Sequence, residues 1–107
     1  MVYSILGDDQ SAPNIGNYGS GSVTDTATLI RAANPDRKSI IILNEDTVNE
    51  IRIGDDNSVK NDADGSADEG LKIGPGASVT LETTRGDIYG IARAGQTVIV
   101  SYYEEAD

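Results

Sequence analysis

The residues of this chain best suited to holding an ion are the acids of Asp62-Ala63-Asp64-Gly65-Ser66-Ala67-Asp68. Spaced oxygen ligands around a glycine turn suit calcium, which binds carboxylates and carbonyls. The run departs from the EF-hand pattern. With Gly65 at loop position six, Lys60 falls at position one and Leu71 at position twelve, where acids are required. Asp62, Asp64 and Asp68 are therefore weak metal candidates, and a solvated acidic loop is the stronger reading.

Other chemistry has few residues to work with. The chain has no His and no Cys. It therefore lacks a side chain that titrates unperturbed near neutral pH, a thiol nucleophile and the usual zinc ligands. Carboxylates are plentiful, but no local signature sets a pair of them apart for acid–base work. The expectation is a non-catalytic chain that uses no cofactor. Arg85-Gly86-Asp87 matches an adhesion tripeptide, yet a turn between two strands accounts for it better. Gly19-Ser20-Gly21 lacks the strand-to-helix context of a phosphate loop.

Charge narrows the partners. Eighteen acidic residues against eight basic ones leave a net charge of −10. Nucleic-acid binding draws most of its affinity from Lys and Arg on phosphates, so no nucleic-acid partner is expected. An anionic membrane surface is disfavoured for the same reason, and no apolar run approaches the length of a membrane helix. Residues 1–10 carry neither a basic n-region nor a long apolar stretch, which predicts a chain made in the cytoplasm without a secretory leader.

The elements that must position any site read as strands. Of 107 residues, none is Trp or Phe and five are Tyr, so Ile, Val, Leu and Ala must fill the core. Period-2 patterning rich in Val, Ile and Thr recurs in residues 24–32, 38–43, 50–53, 71–73, 77–83, 87–93 and 97–103. Turn chemistry separates them: Asn34-Pro35-Asp36, Gly54-Asp55-Asp56, Gly74-Pro75-Gly76, Arg85-Gly86-Asp87 and Ala94-Gly95-Gln96. No segment carries a helical apolar stripe. The expected fold class is all-β, a single jelly-roll-like β-sandwich or a short barrel, occupying residues 23–107. Residues 7–22 are dominated by Gly, Ser, Asn and Asp, so residues 1–22 read as an extended N-terminal arm with a short strand at 2–6. Residues 55–70 form a long acidic insertion, a kind of loop that is usually functional or mobile.

Two strands are apolar on both faces. Ile40, Ile41, Ile42 and Leu43 are consecutive, as are Val98, Ile99 and Val100. In a two-layer sandwich the outward members need a cover: the arm, a neighbouring subunit or a host surface. The candidate interface residues are accordingly Val2, Tyr3, Ile5, Ile15 and Tyr18 in the arm, with Ile41, Leu43, Ile99 and Tyr103 in the body.

Residues 29–103 carry three ordered blocks. Ala33, Asn34, Pro35, Arg37, Lys38, Ser39 and Asn44 form the first. Gly70, Leu71, Pro75, Gly76, Ser78, Thr80 and Leu81 form the second, and Tyr89, Ile91, Ala92 and Gly95 the third. This pattern resembles a small β-sandwich module that recurs in virion proteins of tailed bacteriophages. The resemblance implies a structural role in the virion, foremost as a capsid decoration (cement) protein on the outer surface of the head. It implies a homo-oligomer, a trimer where three-fold lattice sites receive it, with the major capsid protein as partner. The alternative within the same setting is a receptor- or glycan-binding module of a head fibre, spike or tail fibre.

Overall fold

The computed structural model describes residues 17–61 and 69–106, and every described element is a β-strand. The strands are β1 (Asn17–Val23), β2 (Thr28–Arg31), β3 (Arg37–Asn44), β4 (Ile51–Gly54), β5 (Leu71–Ile73), β6 (Ser78–Leu81), β7 (Ile88–Ala92) and β8 (Val98–Ala106). They form two antiparallel four-stranded sheets, in the orders β1-β8-β3-β6 and β2-β7-β4-β5. The pairing is nested: β1 with β8, β2 with β7, β3 with β6 and β4 with β5. That is a long hairpin rolled over on itself, the jelly-roll arrangement of a sandwich. The all-β sandwich read from the sequence is the fold observed.

Local chemistry explains the reversals. Asn34 accepts through its side chain from the Asp36 N–H at 3.0 Å and through its carbonyl from the Arg37 N–H at 3.1 Å, closing the β2–β3 turn around Pro35. At Gly74-Pro75-Gly76 the Ala77 N–H donates to the Gly74 carbonyl at 3.1 Å, with Gly76 at φ 72°. Proline supplies the first turn angle there and glycine the left-handed second one.

The core lies between the sheets. Val23, Ile40, Ile42, Val98 and Val100 from the first sheet meet Ile51, Ile53, Ile73, Ile88 and Ala92 from the second. These short, mostly β-branched side chains suit a pleated surface, and Ile30, Val79, Leu81 and Tyr102 close its margins.

The arm boundary requires correction. Residues 17–22, expected to end an arm, belong to β1, whose seven residues pair with β8 without a register shift. Glycine and serine give this strand no hydrophobic alternation, so its membership rests on backbone hydrogen bonds and on Val23, its buried anchor. The remainder of the expected arm, with Val2, Tyr3, Ile5 and Ile15, lies outside the described residues.

Candidate interaction surface

Strand parity places the five described interface candidates together. On the outer face of the first sheet, Tyr18 lies opposite Tyr103, which lies opposite Ile41, which lies opposite Thr80. The next row runs Ser20, Ser101, Leu43, Ser78. A third pairs Ser22 with Ile99. Tyr18 is 77% exposed, Ile99 47% and Ile41 38%, while Leu43 and Tyr103 are half-buried by their neighbours. The Tyr18 and Tyr103 rings sit 4.9 Å apart between centroids, tilted by 41°.

None of these ten side chains is charged, although the chain as a whole carries −10. Charge returns at the margins. Glu105 accepts a hydrogen bond from the Ser39 hydroxyl at 3.4 Å at one end, and Glu45 follows β3 at the other, donating its N–H to the Ile99 carbonyl at 3.0 Å. The result is a hydroxyl-bearing, aromatic and aliphatic surface within an acidic molecule.

The outer face of the second sheet is built differently. Arg52 projects from β4, donates to the Gly70 carbonyl at 2.8 Å and to Asn61 Oδ1 at 3.2 Å, and lies 3.5 Å from Glu69. Asn61 donates in turn to the Ile91 carbonyl at 3.2 Å. Val59 is buried against Gly54, whose missing side chain leaves room for it. Glu50 is ringed by Arg93 at 3.4 Å, Lys72 at 3.7 Å and Arg52 at 3.8 Å. The two ends of the acidic insertion are thus laid onto this sheet and held by polar bonds and one apolar plug. Its central residues, with the metal candidates Asp62, Asp64 and Asp68, lie outside the described residues. Among the described residues no group of three or more acids is placed to hold a metal ion.

A third cluster, which the sequence reading missed, sets the geometry of the first sheet. Glu104 is fully buried on β8. Its Oε2 accepts from Arg37 Nε at 2.6 Å, and its Oε1 from Arg31 Nη2 at 2.7 Å and Nε at 3.2 Å. Arg37, also buried, spends its remaining donors on the carbonyls of Thr84 and Gly86 at 3.0 Å and Ala32 at 2.8 Å. Arg31 also lies 5.1 Å from the centre of the Tyr102 ring and donates to its hydroxyl at 3.1 Å. One carboxylate thereby ties β2, β3, β8 and the β6–β7 loop together. Burial by itself would raise the Glu104 carboxyl, but the hydrogen bonds and charges of Arg31 and Arg37 outweigh it and hold the group below the usual carboxylate range. The available signal was parity: counting by twos from Val98 and Val100 puts Tyr102 and Glu104 on the inner face.

Tyr102 in turn dictates a residue of β1. It lies opposite Gly19, and its ring occupies the space a side chain there would need. Glycine at this position is a packing requirement.

Comparison with known proteins adds one observation at the level of fold. No protein-family model matches the chain, and no curated protein does. Among solved structures it is similar to a protein of Bacillus endospore appendages, described as forming a novel family of disulfide-linked pili. The TM-score is 0.54 at 19% sequence identity, covering 85% of this chain and 83% of that one. They share a fold. The arrangement of the sandwich in this chain is therefore one that a pilus protein also adopts.

Proposed function

We propose that this chain is a bacteriophage virion structural protein, a capsid decoration protein that binds and stabilises the head as a homo-oligomer and performs no catalysis. The observation that carries this reading is the asymmetry of the sandwich. One outer face is charged and covered by the described ends of the chain's own loop, whereas the other is uncovered among the described residues, neutral and lined by Tyr18, Ile41, Leu43, Ile99 and Tyr103. An exposed contiguous patch of this kind on an acidic domain suits docking to another protein. The three ordered motif blocks supply the virion setting. The likeness to a pilus protein supports assembly as a use of the fold, with one difference. That protein is described as disulfide-linked, whereas this chain has no Cys and would associate without disulfides.

Weak contacts repeated by symmetry would provide the avidity for holding such a protein on a lattice. The test is co-sedimentation of the purified chain with tailed-phage heads stripped of their own decoration protein. Saturable binding that is lost in Ile41→Glu and Ile99→Glu is expected. Equal binding by wild type and both variants would overturn the assignment of this face.

The Tyr18–Tyr103 pair favours a second reading, a glycan- or receptor-binding module, because exposed aromatic rings beside hydroxyls suit sugar faces. Binding to a glycan array together with no binding to heads would put this reading first.

A further inference from the structure

Strand β1 lies at the edge of its sheet, with β8 as its neighbour among the described residues. The direction of its backbone groups follows from one bond. The Glu45 N–H donates to the Ile99 carbonyl, so Ile99 directs its backbone polar groups toward β3. These groups alternate sides along a strand, so Val98, Val100, Tyr102 and Glu104 direct theirs toward β1. Their partners are Val23, Gly21, Gly19 and Asn17. Tyr18, Ser20 and Ser22 must therefore point their N–H and C=O groups away from the sheet.

Among the described residues this edge has none of the usual protection. It contains no Lys, no Pro and no bulge over seven residues. The other edges are blunted. β2 has four residues and a register shift, β5 has three with Lys72 drawn toward Glu50, and β6 has four, close to Pro75 and Glu82.

Building on the reading of the chain as a self-associating subunit, we infer that β1 is the contact between two copies, which pair antiparallel edge to edge about Ser20. The outward-pointing residues are symmetric about that position. Ser20 meets Ser20, and Tyr18 of one copy meets Ser22 of the other, with each of the three pairs exchanging two backbone hydrogen bonds. No charge lies on either strand, which matters for two molecules that each carry −10. The two-fold axis runs perpendicular to the sheet, so the arrangement closes as a dimer. It joins the two β1-β8-β3-β6 sheets into one of eight strands and makes the neutral outer faces continuous. The order is then two, in place of the trimer that the phage resemblance implies.

The test is native mass spectrometry and light scattering of the full chain, with amide hydrogen exchange. A dimer is expected, with the Tyr18, Ser20 and Ser22 amides protected. Ser20→Pro removes an N–H that points away from β8, a substitution an edge strand accommodates. It should raise the dimer dissociation constant at least tenfold, leave the circular dichroism spectrum unchanged and bring the melting temperature to that of the dilute wild-type monomer. A Ser20→Pro protein that stays dimeric would overturn the inference, as would unprotected Tyr18 and Ser22 amides in wild type or an open ladder of oligomers. So would a wild-type monomer that dimerises only after residues 1–16 are removed, since the chain's own segment would then occupy the edge. Head binding separates the two proposals: a Ser20→Pro dimer that still decorates heads removes the pairing mode alone, and a β1-paired dimer that ignores heads removes the virion role alone.

Discussion

Glu104 and Arg37, separated by 67 positions in the chain, meet at 2.6 Å in the interior of the sandwich, each with its side chain wholly withdrawn from solvent. Removing two charges from water is costly, and the cost is offset here because Glu104 is flanked by two guanidinium groups and Arg37 also satisfies three carbonyls. Disturbing one member should therefore harm the fold more than its single contact suggests. Glu104→Gln leaves a buried guanidinium without its counter-charge and is expected to destabilise the domain by about 3–5 kcal/mol, read as a shift in urea midpoint.

The same carboxylate predicts the response to acid. Its folded pKa lies below that of the unfolded chain, about 4.3, so its contribution is complete above that value. It is lost as pH falls through the folded pKa. Urea midpoints measured from neutral pH downward should hold steady and then drop below about pH 4. The drop should be shallower in Glu104→Gln, which has nothing to protonate at that site.

Gly19 offers a test of the contact between β1 and β8. A methyl group at this position would collide with the Tyr102 ring, which also holds Arg31. Gly19→Ala should cost about 1–3 kcal/mol by forced repacking. Measured by thermal unfolding, it should contrast with Gly21→Ala, where open space surrounds the new methyl group.

Val59 tests the docking of the acidic insertion. It is 5% exposed and packs against Gly54 on the outer face of the second sheet. Val59→Ala should cost about 2 kcal/mol and speed limited proteolysis within residues 55–70, because the plug that holds the loop is reduced.

Ile99 tests whether the outer face of the first sheet serves association and not folding. It is nearly half exposed and stands on the outer side of β8, between the buried Val98 and Val100. Ile99→Glu should leave stability within about 0.5 kcal/mol of wild type while abolishing binding to heads, measured by paired unfolding and co-sedimentation.

The residues themselves determined the fold class. Alternating Ile, Val and Thr, punctuated by Asn34-Pro35 and Gly74-Pro75-Gly76, admits strands and turns and little else. Consecutive apolar residues in two of these strands marked Ile41, Leu43 and Ile99 as candidates for an outward apolar face. Three matters were decided only by the tertiary structure. β1 belongs to the sandwich because its backbone pairs with β8, and backbone donors and acceptors leave no trace in a run of Gly and Ser. Glu104 stands beside Glu105 in the sequence with nothing to set it apart, and the pairing of β3 with β8 brought it to Arg37. Which outer face is covered depended on where the described ends of the acidic insertion lie down, through Val59, Asn61 and Arg52 meeting across the sheet. Local pattern records what each residue prefers, whereas these outcomes depend on long-range pairing that brings distant residues together.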